Sequence, residues 1–535
     1  MLDRREFLRG SFGATLLASL SAERLAAADS PTPARGWDAG GMLHLLPTVS
    51  DTALLLKASF ASPLAAPPTL RVTPDTAAVR GQPTDTQGRF WQFRVNGLTP
   101  GRKYSLSLTA ANGTPLCEPW ELATFPSRES RPENFRVMFF SCAGGHERLP
   151  IGFLPTAVRN RLLRRGLSFG PQAVVANGDH VYWDLLAPRA SAKLGATPEA
   201  AQIAGKFDRS ALVFGENNET ALKLAAGPQI VPVYGTDFRS TPVFFLQDDH
   251  DNFDNDEATD ELVTFPPSAF MIRLARATQR MYYPEFLPDA DRPGGLPWSD
   301  GGPNAGSESF GTIRYGRLAE INLYDVRRTA TLAGPSAVFV DHEVERWLLA
   351  RAASTDVAHL VHVPSNPPGW SAGKWGEWYP DVLGADKKLT TSVPKPYWQA
   401  GWLRQHDRLM QSLAAMKQRA PLIVSGDLHA IGLGRMLRAG ALDFQANPIT
   451  TVLAGPISTD AGGWPSAFRG VGPTPPAHLD LREDVKPVEQ HGFTLADFRP
   501  DRIVLRFFKW DIRTQPIDAI DRLTPFHTTE LPRPG

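Results

Sequence analysis

Ala173-Val174-Val175-Ala176-Asn177-Gly178-Asp179-His180-Val181-Tyr182-Trp183 decides how this chain is read. An apolar run stops at Gly-Asp, and a tyrosine follows three residues after the aspartate. Short apolar runs bounded by turn signals read as buried parallel strands. In open α/β sheets, sites gather at the carboxyl ends of such strands. Asp179 therefore stands where a metal ligand or catalytic acid is expected. Three other stretches have the same form. Val137-Met138-Phe139-Phe140 runs into Ser141-Cys142, Val243-Phe244-Phe245-Leu246-Gln247 into Asp248-Asp249-His250-Asp251, and Leu422-Ile423-Val424-Ser425-Gly426 into Asp427-Leu428-His429. One Gly-Asp after a strand is commonly only a turn. Four strands that each deliver a carboxylate, imidazole, phenol or thiol at the exit form the pattern of a metal site.

The donor types narrow the chemistry. A phenolate such as Tyr182 is a hard, strongly donating ligand that suits a trivalent cation better than zinc; its bland alternative is a ring packed under the loop. Asp427 and His429 lie two apart, so on an extended exit both point the same way; a hydrogen-bonded Asp-His turn is the alternative. Asp248 to Asp256 is dense in oxygen donors of the type Ca²⁺ and Mg²⁺ take. A solvated acidic loop is the alternative there, but this run follows an apolar strand and holds a histidine.

At 535 residues the chain is long enough for more than one domain. Lys+Arg and Asp+Glu both number 56, so no net charge argues for nucleic acid or an anionic membrane. No nucleic-acid-binding motif and no stable membrane anchor are found, and a monomer is expected. The two cysteines, Cys117 and Cys142, do not make a disulfide scaffold, although one bridge between them is a live alternative to a metal-bound Cys142.

Asp3-Arg4-Arg5-Glu6-Phe7-Leu8 resembles a twin-arginine signal, and Ala26-Ala27-Ala28 offers a cleavage site. Residues 1–28 are thus expected to be an export signal, read by the twin-arginine export machinery, with a periplasmic or secreted destination. Residues 33–127 read as a small β-sandwich-like domain from the alternation in Thr69–Thr73 and Phe90–Val95, and the Gly97–Leu106 segment resembles the last hairpin of fibronectin III/Ig-like modules. Residues 135–530 alternate strands and helices, the mark of an α/β layered core. Helices are expected over Thr156–Arg165, Asp341–Ala353 and His406–Arg419, and the strand Arg502–Phe508 is placed at a sheet edge. The long loops around residues 184–230 and 284–309 are where specificity is expected to reside.

Taken together, a Cys at the first strand exit, Gly-Asp-x-x-Tyr, Asp-Asp-His-Asp and Gly-Asp-x-His resemble the alkaline phosphatase D (PhoD) family of calcineurin-like metallophosphoesterases. Met281–Pro288, Leu323–Arg327 and Trp402–His429 add weaker likenesses. The resemblance implies a four-layer αββα core and a mixed site of Fe³⁺ and Ca²⁺, other divalent metals being alternatives. It implies Cys142, Asp179 and Tyr182 as iron ligands, with Asp179 bridging to calcium. Asp249 would take a ligand position that most of the superfamily fills with Asn, and Asp427 and His429 would complete the shell. His250 would protonate the leaving group or steady the transition state. Two cations held close would clamp both oxygens of an in-line displacement and make hydroxide available near neutral pH. The expected activity is an alkaline phosphatase/phosphodiesterase acting on phosphate esters. A phospholipase D-like or cell-wall-polymer phosphodiesterase is the enzyme alternative, and a periplasmic binding protein the non-enzymatic one. His362 sits where related phosphoesterases carry a ligand histidine, but this family often has small polar residues there, so a structural histidine is the equal alternative; Asp254 or Asn255 could match the family's Asn. His146 and His180, next to the ligands, are taken as substrate-side candidates.

Overall fold

The computed structural model describes residues 36–74, 78–147, 153–183, 207–252, 267–289, 292, 306–458 and 464–534. The twin-arginine segment, Asp254 and Asn255 lie outside these, as does much of the two long loops.

The chain from residue 135 onward is organised by two sheets. Strands β1 (Phe135–Phe140), β2 (Ala173–Asn177) and β3 (Val243–Leu246) run parallel. They continue on the far side of β1 into the antiparallel strands His491–Arg499, Arg502–Trp510 and His527–Pro532. Strands β4 (Ala319–Tyr324), β5 (His359–Pro364), β6 (Leu422–Ser425) and β7 (Ile449–Ala454) form the parallel heart of the second sheet.

Alternation along the strands fixes the layers, because successive side chains point to opposite faces. Val137, Phe139 and Val175 share one apolar layer with Ile321, Val363, Val424 and Val452 of the other sheet. Met138, Phe140, Val174 and Ala176 face outward onto the helices Thr156–Leu167, Glu216–Tyr234 and Ala269–Tyr282. On the opposite side Leu360, Ile423 and Ile449 pack on the helices His342–Ala353 and Ala400–Ala414. The order is helix, sheet, sheet, helix. Side chains carry the helices' register: Ser268 caps one helix by accepting from the Met271 N–H at 3.3 Å, and Asp341 caps another by accepting from the Glu343 N–H at 2.8 Å.

The N-terminal part forms two four-stranded antiparallel sheets, one built on Met42–Val49, Ala53–Phe60 and Phe90–Asn96, the other on Thr69–Thr73, Lys103–Thr109 and Trp120–Ala123. Its core does not close on itself. Leu45, Leu56, Trp91 and Phe125 belong to the same apolar cluster as Phe135 and Phe244. Fully burying such a side chain contributes about 1.5–3 kcal/mol, so this shared layer fastens the β part to the rest. Buried Lys57 adds a polar tie, donating to the Arg280 carbonyl at 2.6 Å and pairing with Glu285 at 3.0 Å.

Three expectations shift. The helix expected over His406–Arg419 runs Ala400–Ala414, since Trp402, His406, Leu409 and Leu413 set its buried stripe and the chain turns before Pro421. Glu216–Tyr234 is helical in part of the region expected to be loop, despite internal Pro228 and Pro232. The strand Arg502–Trp510 is not at an edge: His527–Pro532 pairs along its outer side.

Candidate metal centre

The strand exits converge because their backbones are stitched to one another. Ser141 N–H donates to the Gly455 carbonyl at 2.9 Å, Cys142 N–H to Gly178 at 3.1 Å, and Gly178 N–H to Leu246 at 2.7 Å. Gly178 has φ +79, and a Cβ there would lie 2.5 Å from the Asp248 Cβ, so only glycine lets the two exits approach. Among the described residues seven non-glycines have positive φ, and four of them are Cys142, Asp179, Asp427 and His429. The left-handed region is costly for residues with a Cβ, and such strain gathers at functional sites.

Asp251 holds these turns in place. Its Oδ2 accepts from the N–H groups of Asp179 and Asp248, both at 2.9 Å, and its Oδ1 from His180 at 3.0 Å and Val181 at 2.9 Å. The acidic run read as a store of oxygen ligands thus divides its labour: Asp251 serves backbone, while Asp249 turns to the centre.

One donor set comprises Cys142, Asp179, Tyr182 and His429. Asp179 Oδ2 lies 3.2 Å from Cys142 Sγ, 3.3 Å from the Tyr182 hydroxyl and 3.7 Å from His429 Nε2. The Tyr182 hydroxyl is 3.4 Å from the same nitrogen. Donors at about 2.0–2.3 Å from one transition-metal ion have separations of this size. Burial, then the Asp179 charge, pushes the Cys142 thiol well above its ordinary range. Burial and neighbouring Asp249 do the same to Asp179. Burial, with His250 and Lys374 nearby, pushes His429 well below its own. A cation here would reverse the first two effects. The set therefore fits a single metal ion. Cys142 and Cys117 are both free, buried thiols, so the disulfide alternative falls.

The second donor set differs. Asp248, Asp249 and Asp427 bring carboxylate oxygens within 4.8 Å of one another, but two buried cations already lie among them. Lys374 Nζ donates to Asp427 Oδ1 and, at 3.2 Å, to Asp249 Oδ2. Arg327 Nε donates to Asp248 Oδ1 at 2.5 Å and Nη2 to Asp427 Oδ2 at 3.3 Å. Asn366 Nδ2 completes Asp427 at 3.0 Å. Burial alone would raise Asp249, yet Lys374 and Arg327 outweigh it and leave this carboxyl below the usual range. His250 stands at the rim, partly exposed, its ring centroid 4.4 Å from that of Tyr182.

Two histidines singled out from the sequence do not face the centre. His180 is buried, its ring nitrogens 3.1 Å from the Tyr234 hydroxyl and 3.0 Å from the Leu246 carbonyl oxygen. His362 lies inside β5, with Nδ1 3.3 Å from the Tyr324 hydroxyl; the residue past this strand that reaches the centre is Asn366. His146 is buried. Sequence reasoning missed Asn366 and Lys374. Asn366 follows the β5 exit by the same logic as the other ligands and was overshadowed by His362. Lys374 lies in a loop with no motif.

No protein-family model and no curated protein matches this chain. Solved structures do, PhoD and a purple acid phosphatase among them. PhoD is 14% identical, covers 94% of this chain and 92% of its own, and superposes with a TM-score of 0.60. The purple acid phosphatase PPD1 from yellow lupin (Lupinus luteus) seeds is 11% identical, covers 92% of this chain and 74% of its own, with a TM-score of 0.52. The mixed α/β architecture with several sheets matches the folds of both. Over nearly the whole chain the fold is PhoD-like.

Proposed function

We propose that this chain is a metal-dependent phosphoesterase, exported through the twin-arginine route, that hydrolyses phosphate monoesters or diesters by direct attack of water on phosphorus. The observation that carries the reading is the convergence of Cys142, Asp179, Tyr182 and His429, from strand exits in both sheets, onto one small volume. The PhoD-like fold supports it.

A bound metal polarises a phosphoryl oxygen and lowers the pKa of water; thiolate, phenolate, carboxylate and imidazole together suit Fe³⁺. The chain's own groups do the rest. Lys374 and Arg327 bring positive charge to where the phosphoryl oxygens gather negative charge. His250, at the open rim beside Tyr182, is placed to hand a proton to the departing oxygen as the phosphorus–oxygen bond breaks. No serine or threonine nucleophile motif presents itself, so no phosphoenzyme is included. The Ca²⁺ implied by the family resemblance fits less well, because Asp249 and Asp427 already hold Lys374.

The same reading takes residues 1–28 as the signal, 33–127 as a fibronectin III/Ig-like module and 135–530 as the catalytic domain. Among the described residues no helix is long and apolar enough to cross a membrane.

Hydrolysis of a chromogenic phosphate monoester and diester, with and without chelator, tests the activity. Expected is turnover that chelation stops, and a fall of at least about 100-fold in Tyr182→Phe. Metal-loaded protein that cleaves neither ester, or cleaves both regardless of chelator, would overturn the reading.

A further inference from the structure

Lys374 is an unusual neighbour for the second metal position that the family resemblance implies. Its side chain is 1% exposed. Its ammonium lies between Asp249 and Asp427 and 5.0 Å over the ring of Trp464. Lysine is rarely buried to this degree unless paired, and here the pairing uses the carboxylates that a second cation would need.

The ammonium is held there by its loop. Glu377 accepts from the Ser371 hydroxyl at 2.7 Å and from the Ala372 N–H at 2.8 Å, and is itself paired with Lys395 at 2.8 Å. Arg469 donates to the carbonyls of Ala372 at 3.0 Å and Gly373 at 2.9 Å. Gly373, with φ +69, has backbone so close to Leu383 that a Cβ would meet its nitrogen at 2.8 Å. A lysine on a loop fixed at this many points has little freedom to swing out.

Both oxygens of Asp427 are engaged, Oδ1 by Lys374 and Oδ2 by Arg327 and Asn366. A divalent ion placed among Asp248, Asp249 and Asp427 would have to expel a buried ammonium or stand against it, beside a guanidinium. Among the described residues, Asp179 Oδ1, Asp248 Oδ2 and Asp249 Oδ1 have no hydrogen-bond partner, and Arg327 Nη2, 3.8 Å from Asp249 Oδ1, sets positive charge beside the last.

We propose that this centre holds one metal ion, at Cys142, Asp179, Tyr182 and His429, and that Lys374 supplies as a fixed ammonium the charge a second cation would supply. The placement of the ion rests on the proposed function; the ion count does not depend on turnover.

The test uses the full chain, incubated with Ca²⁺, desalted and analysed for metals, together with calorimetric titration of Ca²⁺. Expected for the unaltered chain is one transition-metal ion and no Ca²⁺ isotherm. Lys374→Ala should gain a Ca²⁺ site, and Lys374→Arg should not. In the activity assay Lys374→Ala should fall about 100-fold without Ca²⁺ and recover about 10-fold or more with it. Two ions per unaltered chain would overturn the proposal, and so would a Lys374→Ala protein that gains no Ca²⁺. Should Lys374→Ala fail to fold, the count on the unaltered chain still decides. An inactive chain holding one ion would sink the phosphoesterase reading and leave the single-ion centre standing.

Discussion

The carboxylate of Asp251 closes on the backbone of Asp179, accepting its N–H at 2.9 Å, and through three further N–H groups fixes the turn that carries the ligands. A carboxylate with four backbone donors is hard to replace, since each hydrogen bond to a charged group is worth about 1.5–3 kcal/mol. Asp251→Asn keeps the shape but turns an amide N–H₂ toward backbone N–H groups. It should lower the thermal midpoint by several degrees and drop metal content well below one ion per chain. A variant with normal metal content and melting would show that the turn holds itself.

Cys142 and Cys117 separate cleanly by position. Thiolate and phenolate on one Fe³⁺ should give a visible charge-transfer band, so concentrated protein should be coloured. Cys142→Ser should shift or bleach that band and cut activity about 100-fold or more. Cys117→Ser, in the β part, should leave the band unchanged. Absorption spectra of the two variants decide the matter.

Buried histidines give the fold an acid limit. His44 lies 2.5 Å from the Ser59 hydroxyl and 2.8 Å from the Tyr282 carbonyl oxygen, and burial pushes it down to about 4. Burial takes His359 to about 4 and His362 to about 3. Each is neutral when folded and binds a proton near pH 6.5 when unfolded. Their stability is complete above that pH and is lost as pH falls toward 4, and for His362 toward 3, by about 3 kcal/mol for His44 alone. The urea midpoint should therefore fall between pH 7 and pH 5. His44→Gln should flatten that dependence; an equally steep curve in the variant would remove His44 from the account.

Export should depend on the arginine pair. Replacing Arg4 and Arg5 by lysine should leave the precursor inside the cell, measured by fractionation. Normal secretion of that variant would point to a different route.

The parallel strands and their exits were legible because buried strands announce themselves as apolar runs and their ligands follow within a few residues. Cys142, Asp179, Tyr182, Asp249, Asp427 and His429 could all be picked out this way. Lys374 could not. It reaches the centre from a loop whose course is set by Glu377 and Arg469, contacts between residues up to 97 apart along the chain, and no local pattern encodes them. Asp251 was seen but misread. An acidic run gives no sign of which carboxylate will face metal and which will face backbone. The helix Glu216–Tyr234 was hidden by its two prolines, which local rules treat as breakers and which neighbouring elements here accommodate.

The left-handed backbone at Cys142, Asp179, Asp427 and His429 bears on anyone who would graft this centre onto another scaffold. Copying the side chains onto ordinary strand ends would aim them elsewhere, because the aim is a property of the bends. The portable unit is a set of crooked loops locked together by Asp251 and by glycines that leave no gap. By the same token, β-branched replacements at these positions should be rejected in any library before their chemistry is ever tried.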